Sequence, residues 1–139
     1  MIRRLLCLAL CAPLVAAAQS APATAAPPPE IFFRTPANGA TVAPTFDVVF
    51  GLKNYGVAPA GVNINGTGHF HVLIDAAAPA PGIVIPSDSL NRHYGTGVIE
   101  TRLTLAPGRY TLRVVLGDHE HKVIRPELVS APITVTVRR

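Results

Sequence analysis

From residue 30 onward apolar and polar side chains alternate with a period of two, the spacing that puts successive side chains of an extended chain on opposite faces. Phe46, Val48, Phe50 and Leu52 alternate with Asp47, Val49 and Gly51, and Ile99, Thr101, Leu103 and Leu105 with Glu100, Arg102 and Thr104. The same holds for Leu112, Val114 and Leu116 against Arg113 and Val115, and for Ile133, Val135 and Val137 against Thr134, Thr136 and Arg138. Each run predicts a strand buried on one face. A first short strand is expected over residues 31–34, ended by the turn residues Pro36-Ala37-Asn38-Gly39. The Pro107-Gly108 step predicts a hairpin that pairs the strands on either side of it. No stretch of ten residues has the three-and-four spacing of an amphipathic helix, and 14 prolines with 11 glycines break up any candidate. About seven short strands joined by turns predict an all-β fold, an antiparallel immunoglobulin-like β-sandwich.

The first 29 residues follow a different pattern. Met1-Ile2-Arg3-Arg4 is positive, residues 5–18 are an apolar run, and Ala16, Ala17 and Ala18 offer small-residue cleavage positions. This predicts a secretory signal peptide over residues 1–18, an Ala/Pro-rich leader over 19–29, and a β-sandwich domain over 30–139. Arg3-Arg4 suits either the general or the twin-arginine export route. The apolar run is shorter than the ~20 residues that cross a bilayer, and no later run is longer, so no membrane span is expected in the mature chain. Its expected location is periplasmic or secreted.

Removal of the signal changes the chemistry on offer. Cys7, Cys11 and Met1 all fall within it, so any metal site in the mature chain must use nitrogen and oxygen. Of 12 Lys and Arg, Arg3 and Arg4 are lost, and the remaining ten face eight Asp and Glu for a net +2. That balance, with no Lys/Arg cluster and no aromatic stacking series, argues against nucleic acid.

What remains is histidine. All five lie between residues 69 and 121, four of them in two His-x-His pairs, His69-Phe70-His71 and His119-Glu120-His121, with His93 between. On an extended chain positions i and i+2 share a face, so each pair is expected to present two imidazoles side by side. Phe70, Val72 and Ile74 are expected on the buried face of their strand, with His69, His71 and Asp75 opposite. His119 and His121 follow Gly117-Asp118 where a strand runs out, and are expected on a loop. His93 belongs to a long connection, residues 76–95, of a length that compact domains seldom carry without a use. If that connection folds back over His69, three pieces of chain converge.

Three or four neutral imidazoles make a competent site for Cu(II) or Zn(II), bound at ~2.0–2.1 Å. His69, His71 and His121 are the strongest candidate ligands, His93 and His119 are further candidates, and Asp75, Asp118 and Glu120 are candidates to orient ring N–H groups. A lone histidine more often bonds backbone or water, and His93 beside Tyr94 and Gly95 could equally fix its own loop. Clustering is what favours ligation. Hydrolytic chemistry has weaker support: Ser87, Asp88, Ser89 and His93 are suitable residue types, but no Gly-x-Ser-x-Gly elbow accompanies them. Asn65-Gly66-Thr67 is better explained as a turn than as a phosphate loop.

Three segments carry a resemblance: Gly68-His69-Phe70-His71-Val72-Leu73-Ile74-Asp75, His93-Tyr94-Gly95, and the stretch from Leu105-Ala106-Pro107-Gly108 to Leu116-Gly117-Asp118-His119-Glu120-His121. Together they resemble a secreted family known as domain of unknown function 4399, over about residues 31–137. The resemblance implies an exported β-sandwich with a His-rich site. Two positions depart from the family pattern: its middle histidine is Phe70 here, and a later histidine falls near Ile124. The first would point into the core, whereas the second could be a lost ligand, with His119 as a substitute.

Two function classes follow. In one, the protein is an exported, non-enzymatic metal carrier, buffer or sensor whose affinity falls as pH drops through ~6.5. In the other, it is a non-catalytic cell-envelope binding or structural module without metal, whose partner is another envelope protein and whose histidines bond locally or respond to pH.

Overall fold

The alternating runs form strands in the computed structural model, which describes residues 26–139; the expected signal peptide and most of the expected leader lie outside that range. In chain order the strands are β1 (Glu30–Thr35), β2 (Thr41–Val42), β3 (Thr45–Lys53), β4 (Gly56–Val57), β5 (Thr67–Ile74), β6 (Asn91–Tyr94), β7 (Glu100–Thr104), β8 (Gly108–Gly117) and β9 (Ile133–Val137). A single 3-10 turn, Pro126–Leu128, is the helical element among the described residues. The fold is all-β and has two sheets. One has the order β1-β3-β7, and the other runs β2-β9-β8-β5-β4, with β6 also paired to β5.

The inward positions of the two sheets meet in one apolar core. Phe46, Val48 and Phe50 of β3 face Phe70, Val72 and Ile74 of β5 and Leu112, Val114 and Leu116 of β8, all buried. Phe50 and Phe70 stack across the interface with ring centroids 4.4 Å apart and planes at 18°. A buried aromatic or aliphatic side chain stabilises by roughly 1.5–3 kcal/mol over leaving it in water. A one-residue slip of β5 would put Phe70 outside and the histidines in the core, so this packing fixes which face the imidazoles occupy.

Three expectations fail. The Pro107-Gly108 turn does not close a hairpin: β7 pairs with β3 in one sheet, while β8 lies between β9 and β5 in the other. Turn residues reverse the chain, but burial of Leu103 on one sheet and Leu112 on the other decides where each strand pairs, and the turn bridges the sheets. Nor are β5 and β8 buried on one face only. Leu73 and Val115 on the outer face are fully buried with Ile85 and Val123, because residues 76–90 and 118–130 fold over that face as a third layer. Pairing is otherwise mostly antiparallel, with two short parallel contacts, β2 with β9 and β4 with β5. Ile99, expected on an inner face, precedes β7 and is 60% exposed.

Candidate metal centre

The outer face of β5 carries the site. His69 and His71 sit two residues apart on it, so both rings project to the same side, where the third layer covers them to 0% and 1% exposure. Their Nε2 atoms are 3.0 Å apart. The strand next to β5 supplies the third ring: His93 of β6 stands directly opposite His71 in the ladder, and directly opposed residues share a face. His93 is thus a strand residue within the long connection, and its ring is exposed at the rim of the cluster. Ring centroids are 4.8 Å apart for His69–His71, 4.9 Å for His69–His93 and 5.0 Å for His71–His93.

His121 brings a fourth ring from the turn after β8. Its centroid lies 4.7 Å from that of His93, 4.9 Å from His69 and 5.9 Å from His71, so three separate pieces of chain do converge. The turn is held by Asp118, whose Oδ1 accepts from the amides of Glu120 and Lys122, both at 2.9 Å, while the His121 amide donates to the Asp118 carbonyl. His121 adopts φ 66°, the left-handed region that a residue with a Cβ enters at some cost. Proximity of rings and convergence of nitrogens differ, however. One nitrogen each from His69, His71 and His93 fall within 4.8 Å of one another; His121 packs edge-on against His69 and His71 and is outside that converging set.

His119 is not brought to the cluster. The 118–121 segment is a tight turn, not extended chain, so i and i+2 lose their common face. His119 instead lines a separate cleft with Tyr55, Ile64, Asn65 and Ile124. Ile124, near which the resemblance implies a family histidine, thus lies in the cleft of His119 and not at the cluster. Phe70, the other departure, is in the inner core as expected.

The three carboxylates expected to orient the rings are committed elsewhere. Asp75, just past the end of β5, accepts from the Thr111 amide at 2.6 Å. Asp118 holds its own turn, and Glu120 is exposed and paired with Lys122 at 2.7 Å. The short side chains of Asp75 and Asp118 cap the nearest free amides and Glu120 turns to the Lys122 ammonium, so none of the three hydrogen-bonds an imidazole. Asp88, considered with Ser87 and Ser89 for hydrolysis, likewise accepts from the Leu90 and Asn91 amides.

Burial sets the electrostatics. Desolvation, and then the neighbouring imidazoles His121 and His93, lower the His69 pKa to about 4 against the pull of Asp118. For His71 desolvation, then His69, His93 and His121, lower it to about 3. His93 is lowered by the same causes, desolvation first and then His121. Near neutral pH these rings therefore keep their lone pairs. Nδ1 of His69 and of His71 is buried with no protein partner, a shortfall of about 1–3 kcal/mol for each unmet group.

Two glycines invisible to a search for ligands make room for the rings. A Cβ on Gly117 would meet His71 Nε2 at 2.9 Å, and one on Gly95 would collide with the His93 ring. The signal was present in the His93-Tyr94-Gly95 and Leu116-Gly117-Asp118 segments. Residues 82–85 were also missed. They run as a strap along the His121 turn, with Gly82 N to Val123 O at 2.8 Å, Ile85 N to His121 O at 2.8 Å and Val123 N to Ile83 O at 3.0 Å. Between strap and rings lies an open cleft of about 290 Å³ lined by His71, Val84, Ile85, Pro86, Ser87, His93 and His121.

No curated protein and no solved structure matches the chain. A protein family described as "Domain of unknown function (DUF4399)" matches over residues 48–138, which takes in β5, β6, β8 and the turn that follows it, and so every histidine of the cluster. The chain belongs to the DUF4399 family.

Proposed function

We propose that the protein is an exported, non-catalytic metal-binding protein that holds Cu(II) or Zn(II) on His69, His71 and His93, with His121 alongside, as a carrier, buffer or sensor. The observation that carries this reading is the convergence of three imidazole nitrogens within 4.8 Å, with the Nε2 atoms of the two fully buried rings 3.0 Å apart. Bonds of ~2.0–2.1 Å put two nitrogens of one ion about 3.4 Å apart at a tetrahedral centre and at most about 4.2 Å apart when trans, so a shift of about 0.6–1.5 Å, which the exposed His93 ring can supply, completes the fit. The donor set suits the proposed ions: nitrogen without sulfur favours Cu(II) or Zn(II) over Cu(I). Depressed pKa values add support, because a ring that resists protonation does not make the metal compete with a proton.

The reading of residues 1–18 as a secretory signal supports a site that works in the periplasm or outside the cell. Among the described residues no helix is long and apolar enough to cross a membrane. The two-sheet core is consistent with an immunoglobulin-like sandwich as the scaffold, in which β5 and β6 present the site on an outer face.

The test is a titration of untagged protein with Cu(II) and with Zn(II) in competition with a chelator of moderate strength. One equivalent should bind, the melting temperature should rise, since a ligand of the native state stabilises it, and His71→Ala should abolish both effects. Equal affinity in His71→Ala and the parent would overturn the reading and leave an envelope module whose histidines only pack.

A further inference from the structure

An ion on three imidazoles would bring two positive charges to a place that the protein does little to neutralise. All three ligands are neutral. Asp75 is tied to Thr111, and Glu120 to Lys122. Asp118 is the one carboxylate whose charge is felt at His69; at His71 and His93 the neighbouring charges are other imidazoles. Its influence is the weakest of the four acting on His69, so most of the ion's charge stays uncompensated in a site whose floor is shielded from water, where such a charge is costly.

The space beside the ring nitrogens is larger than an ion needs. His71, His93 and His121 open onto the cleft of about 290 Å³, roughly the liquid volume of ten waters. Its other walls are Val84, Ile85 and Pro86, with the Ser87 hydroxyl as the polar group. Three converging ligands with a fourth direction left open is the arrangement of metal sites that take an exogenous ligand, in contrast to closed structural sites.

Resting on the metal-binding reading above, we propose that the bound ion keeps an open coordination position toward this cleft and that a small monoanion, a short-chain carboxylate, fills it. The carboxylate oxygen binds the metal, supplies the missing negative charge, and the alkyl chain lies against Val84, Ile85 and Pro86.

The experiment uses the full chain loaded with one equivalent of Cu(II) and follows the electron paramagnetic resonance spectrum during titration with azide, acetate and butyrate. Each anion should shift the spectrum and saturate at one per copper. Butyrate, with two more methylenes for the apolar wall, should half-saturate at about tenfold lower concentration than acetate. Val84→Trp, which fills the cleft from the exposed strap, should cost butyrate about tenfold and azide far less. If copper binds but no anion perturbs the spectrum, the coordination is closed and the inference is wrong while the metal site stands. His121→Ala then shows why: anion binding that emerges only in that variant identifies His121 as the fourth ligand. Equal affinity for acetate and butyrate would overturn the assignment of the apolar wall. Failure of copper itself to bind would instead sink the underlying metal-binding reading.

Discussion

Acid should destabilise the metal-free protein between pH 7 and 5, a range in which carboxylates barely titrate. His69 and His71 are essentially unexposed, with pKa values lowered to about 4 and about 3, first by desolvation and then by neighbouring imidazoles. In the unfolded chain each returns to ~6.5. The unfolded state therefore binds more protons below that value, so the stabilising contribution is complete above pH 6.5 and is lost as the pH falls toward 3. At pH 5 an unfolded ring is almost fully protonated and a folded one almost not at all. The difference amounts to about 2 kcal/mol per ring and about 4 kcal/mol for the two, with the lowered pKa of His93 acting in the same direction. Against a total stability of about 5–15 kcal/mol this is a large loss. Urea unfolding at pH 7 and pH 5 in the presence of a chelator, followed by circular dichroism, measures it directly. The double variant His69→Leu/His71→Leu should flatten the difference to below about 1 kcal/mol, since leucine has nothing to titrate. A parent protein that loses less than about 1 kcal/mol over this interval would show that the rings are solvated, and the argument from burial would fail.

Other perturbations separate the parts of the site. Gly95→Ala forces the exposed His93 ring aside without touching the core; metal affinity should fall about tenfold, ~1.4 kcal/mol, with the urea midpoint unchanged within error. Asp118→Ala leaves the Glu120 and Lys122 amides without their acceptor and should cost about 1–2 kcal/mol in urea unfolding, with a measurable loss of the His121 ring from the cluster by histidine NMR shifts. His121→Gly should be more stable than His121→Ala by about 1 kcal/mol, because only glycine enters the left-handed region freely; equal melting temperatures would refute the strained turn.

The reach of local pattern along this chain has a physical limit, and the histidines mark it. Period two places His69 and His71 together on β5 and Phe70 opposite them, because within a strand the face of each residue follows from backbone geometry alone. The same rule applied to His119 and His121 fails, since Asp118 folds that segment into a turn through its own amides. His93 shows a second limit. Its place opposite His71 depends on β6 finding the free edge of β5, and Leu105 to Tyr110 shows how turn residues leave such choices open: a Pro-Gly step that could close a hairpin carries the chain to the other sheet. Val115 and Leu73 looked like outward positions until the 76–90 segment covered them, and that cover is what desolvates the imidazoles. The site thus depends on a third layer that no local periodicity encodes.

Traces of that long-range packing were nonetheless written in residues that look inert. Gly117 stands across the ladder from His69 and beneath His71, and Gly95 lies beneath His93; at both positions a single methyl group would displace an imidazole. Conformational freedom does not explain them, because neither is among the glycines with positive φ. Close approach does. A glycine at or just past a strand end that gains nothing from its flexibility, as Gly117 does across the ladder from the histidine strand and Gly95 two residues past His93, is therefore a sign that a ring packs over the backbone, and two such glycines serving separate rings argue for a shared centre more strongly than the count of histidines alone.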